Sequence, residues 1–429
     1  MSSVGVTVVR GGTVLTPSAK CTADLVITEG SIVSIDRPGA ADCTGATVID
    51  AGGLLVLPGL IDAHVHMQEP GREAWEGWDS GSAASAAGGV TTVVDMPIDS
   101  DPPTTTAALV EAKVAAVARS SRVDVALWGG LVPHSIAHLD EMVAAGVAGF
   151  KAFACPSGWD EFPPADGSTL AAGMTVAAAH GIPVAVHCEP AELGHTETSE
   201  VEAIGWAAAI AADAGARLHV VHTSSAAGVA EARRWPGVTV ETCPHYLLLD
   251  EESATDIGPR ARCAPPIRNA SNREAMWRHV LAGDIDVIAS DHSPCPPDAR
   301  TGPHPWAGID GAGLMLALLM GSDRLPLRHL VELLTAAARI LRLPAKGAIA
   351  VGYDADLALV EPDATWEIGP TTTWTKHRAS PFEGVRVRGT VATTIRRGQV
   401  IFTAEGGPGD CGGGRLVRPQ AEGHAGRLA

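Results

Sequence analysis

The period of apolar and polar positions changes twice along this chain. Residues 4–50 contain short apolar runs separated by turns such as Glu29-Gly30, and no helix-period pattern interrupts them. From residue 60 to 344, short β-branched or apolar runs alternate with alanine-rich stretches of helical length, and after 345 the strand patterns return. This pattern predicts a small β unit at each end of a long α/β region.

The central region alternates strand and helix patterns eight times, which favours a (β/α)8 TIM barrel over an open sheet. The fold class is therefore α/β, with a small β-sandwich-like domain built from both termini. The predicted strands are 60–66, 91–97, 124–131, 149–153, 183–188, 217–223, 238–244 and 285–291. The predicted helices are 80–88, 104–119, 135–145, 168–180, 199–214, 225–234, 270–282, 310–320 and 326–341.

Four segments follow from this pattern. Residues 1–55 form the N-terminal part of the small β domain, 56–344 form the barrel, and 345–404 form the C-terminal part of the β domain. Residues 405–429 are glycine-rich and have few large apolar side chains, so we expect a flexible tail there.

Composition narrows the class of protein. The 429 residues are 46% apolar, and the net charge of −18 without a basic run argues against nucleic acid or a membrane surface as a partner. No apolar run approaches the roughly 18 residues that a membrane span needs, and the first residues lack a secretory signal pattern. The 8 cysteines are scattered without a C-x-x-C pair, which indicates reduced thiols in a cytoplasmic protein.

The side chains that perform chemistry in such barrels lie where the strands end, at the carboxyl face. His64 and His66 end the first strand at i, i+2 spacing, so both point to one face. Any one polar residue at such a position could be a hydrogen-bonded core histidine or a helix cap. Six of them at the ends of five strands indicate a shared metal site: His64, His66, Lys151, His187, His222 and Asp291.

Lys151 lies between Phe150 and Phe153, where burial favours the neutral amine. A neutral amine adds carbon dioxide to give a carbamate, whose two oxygens can bridge two metal ions. Four imidazoles, a bridging carboxylate and an aspartate suit two divalent ions, with zinc as the default. Such a pair of ions holds a hydroxide at neutral pH, and Asp291 can accept its proton and pass it to the departing nitrogen. The residues therefore predict metal-assisted hydrolysis of an amide or imide.

The order H-x-H, Lys, His, His, Asp on a barrel with a split β domain resembles the cyclic-amidohydrolase branch of the amidohydrolase superfamily. That branch includes dihydroorotases, hydantoinases (dihydropyrimidinases) and allantoinases. The resemblance implies that His64, His66 and Asp291 hold one ion, that His187 and His222 hold the other, and that N6-carboxylated Lys151 bridges them. It also implies a homo-oligomer, often a tetramer.

Within this branch the chain is most similar to the allantoinases. Dihydroorotases usually carry an arginine where this chain has Gln68, and hydantoinases usually carry a tyrosine shortly after the lysine, where this chain has none. The strings that resemble allantoinases include Glu69-Pro70-Gly71-Arg72, Met96-Pro97, Cys243-Pro244-His245-Tyr246, Cys263-Ala264-Pro265-Pro266 and Ser290-Asp291-His292-Ser293.

This resemblance implies hydrolysis of the hydantoin-ring amide of allantoin, a small cyclic ureide, to allantoate in purine catabolism. The polar backbone around four loop residues would hold the ureide: Cys155, Ala264, Ser293 and Gly308. The chain departs from the family pattern at Ala264, where many relatives have serine, and at Asp99, where allantoinases often have asparagine. The segment 189–203 is a shortened or rebuilt loop at the mouth of the site, and we expect His195 within it to be a surface residue.

Two further histidines lie beside the predicted site. We expect His245 to have a structural role, and His292 to point away from the metals by strand alternation. The alternative functions are a hydantoinase acting on another cyclic ureide, a dihydroorotase, and a non-catalytic scaffold. The six filled ligand positions argue against the scaffold.

Overall fold

The computed structural model describes residues 5–189, 196–301, 303 and 305–420. The N-terminal region forms strands with short turns between them, as the sequence predicts. These strands are β1 (Val6–Leu15), β2 (Lys20–Thr28), β3 (Ser31–Asp36), β4 (Thr47–Asp50) and β5 (Leu55–Pro58).

Parallel strands then form an eight-stranded sheet within the described residues. They are β6 (Leu60–Val65), β7 (Val90–Asp95), β8 (Asp124–Gly130), β9 (Gly149–Phe153), β10 (Pro183–His187), β11 (Arg217–Val220), β12 (Val238–Thr242) and β13 (Val287–Ile288). The two edges of this sheet meet, because Val65 at the end of β6 forms a parallel bridge with His292 beyond β13. The predicted barrel is therefore confirmed.

Helices cover the outside of the barrel and follow its strands. They are α1 (Trp78–Ala87), α2 (Ala107–Ser120), α3 (Leu139–Ala145), α4 (Gly167–His180), α5 (Glu197–Ala214), α6 (Ala226–Ala232), α7 (Pro244–Leu248), α8 (Glu251–Ile257), α9 (Ala270–Ala282), α10 (Met315–Gly321), α11 (Leu327–Thr335) and α12 (Ala337–Ile340). No helix in the described part of the chain is long and apolar enough to cross a membrane.

Local chemistry explains where several helices begin. The side chains of Thr106, Asp166 and Asn269 each accept a hydrogen bond from a backbone N–H in the first turn of α2, α4 and α9. The sequence pattern missed the short helices α7 and α8. Pro244 opens α7 and Asp250 caps α8, and elements of five and seven residues are too short to give a clear helical period.

The C-terminal region returns to strands: β14 (Leu357–Glu367), β15 (Arg386–Arg396), β16 (Gln399–Thr403) and β17 (Gly407–Pro408). They join the N-terminal strands in one nine-stranded sheet, in which β14 pairs with β5 in an antiparallel register. Its apolar core takes Val14 and Leu25 from one end of the chain and Leu357 and Ile395 from the other. Both termini therefore build one β domain, as predicted.

The chain beyond Pro408 differs from the predicted flexible tail. The N–H of Val125 in β8 donates to the carbonyl of Arg415 at 2.9 Å, and the N–H of Val417 donates to the carbonyl of Val125 at 2.8 Å. The backbone approaches closely because Gly414 has no side chain, since a Cβ there would lie 2.3 Å from the carbonyl of Val123. Residues 415–417 thus act as a short extra strand against β8. Residues 421–429 of the predicted tail lie outside the described residues.

A buried lysine joins the β domain to the barrel. The Nζ of Lys346 lies 2.7 Å from Asp124 at the start of β8, 2.7 Å from Asp356 and 2.9 Å from Asp354. Arg397 adds a second cation 2.8 Å from Asp124. Burial alone would lower the pKa of Lys346, but the three carboxylates outweigh it and raise the pKa above its ordinary value. The ammonium therefore stays charged and offsets part of the negative charge of the acidic cluster.

We expect Lys346→Met to lower the free energy of unfolding by about 3–5 kcal/mol, because it removes one of the two cations that face these carboxylates. Urea unfolding followed by circular dichroism measures the loss. Lys20→Met at the exposed start of β2 is the matched control and should lie within about 0.5 kcal/mol of the parent. A loss below about 1 kcal/mol for Lys346→Met would show that the cluster does not hold the two units together.

Candidate metal centre

The six predicted ligands lie at the carboxyl end of the barrel. His64 lies near the end of β6, Lys151 lies within β9 and His187 is the last residue of β10. His66, His222 and Asp291 lie in the segments that follow β6, β11 and β13. All six line one cavity of about 450 Å³. The structure therefore brings together every residue of the predicted metal site.

Three of these side chains converge on one point. The Nε2 atoms of His64 and His66 lie 3.3 Å apart, and the Oδ1 atom of Asp291 lies 3.2 Å from the former and 3.6 Å from the latter. All three residues are buried. Asp291 has a positive φ of 49°, a conformation that aspartate tolerates better than most residues.

A second pair of histidines lies beside them. The Nδ1 atom of His187 lies 3.0 Å from the Nε2 atom of His222. Burial lowers the pKa of both imidazoles, and the neighbouring Lys151 ammonium adds to that shift. Both rings are therefore neutral at pH 7, which is the form that binds a metal ion.

In chain order, Lys151 comes after His64 and His66 and before His187 and His222. Its side chain is almost fully buried. Its Nζ lies 3.9 Å from the centre of the Phe153 ring. Burial lowers the pKa of Lys151 to about 8, against the opposing charges of Asp291 and Glu241. A substantial neutral fraction near pH 8 is what addition of carbon dioxide requires.

Three buried carboxylates lie behind the histidines, and their roles were not predicted from the sequence. Glu241 lies 2.8 Å from Nδ1 of His64 and Asp99 lies 2.8 Å from Nδ1 of His66. Glu189 lies 3.1 Å from Nε2 of His187. An acceptor on one ring nitrogen fixes the proton there and turns the lone pair of the other nitrogen outward. An acidic residue inside an apolar strand, as in Val238-Thr239-Val240-Glu241, is the signal that could have revealed the first of them.

Glu241 has two contacts in addition to the one with His64. It also accepts a hydrogen bond from the backbone N–H of His222 at 3.0 Å and lies 3.3 Å from Nε2 of His219. Burial alone would raise the pKa of Glu241, but His64 and His219 outweigh it and hold the pKa well below its ordinary value. A permanent anion at this position favours the arrangement in which Nε2 of His64 is unprotonated.

The donor set fits a pair of divalent metal ions. Two imidazole nitrogens that face each other at 3.0–3.3 Å cannot both carry a proton pointed at the other. Glu241 and Glu189 place the protons of His64 and His187 on the nitrogens away from the facing rings, so that their lone pairs converge on the cavity. Nitrogen and carboxylate donors of this kind suit zinc and related ions.

His245 and His292, the two further histidines predicted beside the site, differ from each other. The Nδ1 atom of His292 accepts hydrogen bonds from Gly311 and Ala312 at 3.3 Å, and its Nε2 lies 3.5 Å from Glu76. Its side chain thus points away from the ligands, as predicted. His245 is fully buried, and neither of its ring nitrogens has a hydrogen-bond partner within the described residues. His195 lies outside the described residues.

Three of the four predicted substrate-binding residues line the same cavity: Ala264, Ser293 and Gly308. Near the fourth, Cys155, the lining residues are the adjacent Pro156 and Ser157. Gly308 packs so closely that a Cβ would lie 1.9 Å from the carbonyl oxygen of Ser293. Only glycine fits at that position.

A parallel barrel whose carboxyl face gathers four histidines, a buried lysine and an aspartate defines a metal-dependent hydrolase. Residues 55–401 match the family described as Amidohydrolase family, and the chain belongs to that family. An allantoinase from Rubrobacter xylanophilus is 43% identical over 97% of this chain and 98% of its own length. An allantoinase from Escherichia coli O1:K1 / APEC is 36% identical over 93% and 96%.

Solved structures show the same architecture. An L-hydantoinase (dihydropyrimidinase) from Arthrobacter aurescens superposes with a TM-score of 0.88 at 29% identity, over 97% of this chain and 100% of that one. A D-hydantoinase (dihydropyrimidinase) from Thermus sp. superposes with a TM-score of 0.88 at 26% identity, over 97% and 99%. The fold and the site therefore place this chain among the hydrolases of cyclic amides.

We expect Glu241→Gln to weaken zinc binding about 10- to 100-fold, because an amide offers only one accepting oxygen to the donors of His64, His219 and His222. Competition with a chromophoric chelator measures the affinity of metal-free protein. Glu252→Gln on the surface of α8 is the matched control. Unchanged affinity in Glu241→Gln would show that the carboxylate does not orient His64.

Proposed function

We propose that this protein hydrolyses the hydantoin-ring amide of allantoin to give allantoate, a step in purine catabolism. The observation that carries the proposal is the single cavity onto which all six candidate ligands converge. The full-length similarity to curated allantoinases supports the choice of substrate. We further propose that the protein acts in the cytoplasm as a homo-oligomer, with a tetramer as the expected state.

In this proposal His64, His66 and Asp291 would hold one divalent ion, His187 and His222 would hold the other, and N6-carboxylated Lys151 would bridge them. We take zinc as the resident ion and dissolved carbon dioxide as the source of the carbamate. When bound, the ions polarise the amide carbonyl and lower the pKa of a water molecule.

We also propose 1–55 and 345–404 as the two parts of the β domain and 56–344 as the hydrolase barrel.

Asp291 is the proposed proton carrier. Burial alone would raise the pKa of Asp291, but His64 and His66 outweigh it and hold the pKa below its ordinary value. Its carboxylate is therefore ionised at neutral pH and can accept a proton from the attacking water. It then delivers that proton to the ring nitrogen as the C–N bond breaks, so that water is added across the amide.

The proposed substrate contacts come mainly from the backbone near Cys155, Ala264, Ser293 and Gly308. The hydroxyl of Ser293 donates to the carbonyl of Asp291 at 3.0 Å and accepts from the N–H of Ile309 at 3.2 Å. It is thus engaged within its own loop, and Ala264 has no hydroxyl to offer. Backbone amides and carbonyls match the alternating N–H and C=O groups of a cyclic ureide.

Gln68 supports a neutral substrate over dihydroorotate. Its side-chain N–H donates to the carbonyl of Pro294 at 2.7 Å, and the residue is buried. It therefore braces the loop after β13 and brings no positive charge to the cavity. A substrate carboxylate would need a cation here.

A hydantoinase acting on another cyclic ureide is the second candidate, because the solved structures with the same fold include hydantoinases. Purified protein assayed with allantoin, hydantoin, dihydrouracil and dihydroorotate separates the candidates, with metal content measured on the same sample. We expect allantoin to give the highest kcat/KM. Turnover of dihydrouracil without turnover of allantoin would contradict the proposal.

We expect Lys151→Ala to lose most activity and most bound metal, because it removes the bridging group. Allantoin turnover and elemental analysis measure both losses, and short carboxylic acids added at high concentration should restore part of the activity. Lys20→Ala on the exposed part of β2 is the control. Full activity in Lys151→Ala would refute the role of the carbamate.

A further inference from the structure

We propose that Asp99 is a positioning residue that links His66 to the chain segment over the mouth of the cavity. This inference rests on the proposed function of the site. The segment consists of residues 154–166, between β9 and α4, and is called the mouth segment below. Pro156, Ser157 and Gly158 of this segment line the cavity, so its position sets the shape of the site.

The carboxylate of Asp99 uses both of its oxygens. Its Oδ2 atom lies 2.8 Å from Nδ1 of His66, and its Oδ1 atom accepts a hydrogen bond from the indole Nε1–H of Trp159 at 3.1 Å. Asp99 itself is buried and has a φ of 74°, which directs its side chain out of the extended path of the preceding strand. One buried side chain thus joins a candidate ligand to the mouth segment.

Trp159 is held on its other sides by residues from two further loops. The guanidinium carbon of Arg72 lies 3.3 Å from the centre of the Trp159 ring, which is a close cation–π contact. Trp306 meets Trp159 edge to face at 6.1 Å and meets Trp75 in the same way at 4.9 Å. Loops after β6, β9 and β13 therefore meet around this one indole, and Trp306 also lines the cavity.

A carboxylate is the side chain that satisfies both contacts. The indole nitrogen is always a donor, and Nδ1 of His66 must be a donor if Nε2 is to face a metal ion. Two donors need two acceptors, and a carboxylate provides them. An amide of the same size would turn its NH2 group toward one of these donors, so it could keep only one contact.

Coupling follows from this shared side chain. When the mouth segment is seated, Trp159 fixes the rotation of the Asp99 carboxylate, which in turn holds the ring of His66. When the segment lifts, Asp99 loses one of its two partners and His66 loses part of its support. We therefore expect seating of the mouth segment and retention of metal to change together.

The test compares Asp99→Asn, Trp159→Phe and the double variant in zinc-loaded full-length protein, with Trp206→Phe on the surface of α5 as the control. Two readouts do not depend on substrate: hydrogen exchange of residues 154–166, and the rate at which a chelator removes zinc. Trp159 is not one of the candidate ligands. We expect Trp159→Phe to increase both the hydrogen exchange of residues 154–166 and the rate of zinc removal by a factor on the order of ten. The double variant should release zinc no faster than Asp99→Asn alone.

Zinc release unchanged in Trp159→Phe, or effects that multiply in the double variant, would overturn the proposal. Equal thermal unfolding midpoints across the set would show that the variants fold alike. Failure of the proposed function would appear separately, as absence of allantoin turnover in the parent protein. The exchange and zinc-release results would then still decide whether Asp99 couples the two elements.

Discussion

The site depends on the pairing of each ligand histidine with an acceptor behind it. An imidazole offers a lone pair only from its unprotonated nitrogen, so its proton must be held elsewhere. Glu241 and Glu189 accept it from His64 and His187, and Asp99 lies 2.8 Å from the corresponding nitrogen of His66. Carboxylates are costly to bury, and these are tolerated because each one accepts from buried donors. The barrel provides that enclosure, since its wall carries His64 on β6 and Glu241 on β12, while Asp99 and Glu189 lie in the loops after β7 and β10.

The buried charge cluster and the candidate metal ligands lie at opposite ends of this barrel. The cluster around Lys346 neutralises Asp124 at the start of β8 and joins the β domain to that end. The ligands occupy the ends at which the strands finish. This separation lets the loops after the strands differ in sequence without disturbing the cluster, a division that is general among barrels of this type.

The sequence predicted what depends on local pattern. Alternating strand and helix periods gave the barrel, and strand-end positions gave the ligands, because parallel strands bring their carboxyl ends to one face. Glu241 was missed because its partner lies far away along the chain, whereas Glu189 lies only two residues from His187. His64 and Glu241 are 177 residues apart, and no local pattern records such a pair. The segment near Arg415 was predicted to be flexible because it is rich in glycine. Its glycines instead permit close packing against β8.

That last contact has a consequence for the order in which the protein folds. Asp124 at the start of β8 accepts a hydrogen bond from the backbone of Arg415, 291 residues later in the chain. A ribosome therefore completes the whole barrel sequence before this edge of β8 can find its partner. Contacts of such long sequence separation form slowly. Until then, the edge of β8 beside Val125 lacks this partner and is open to pairing with a neighbouring chain.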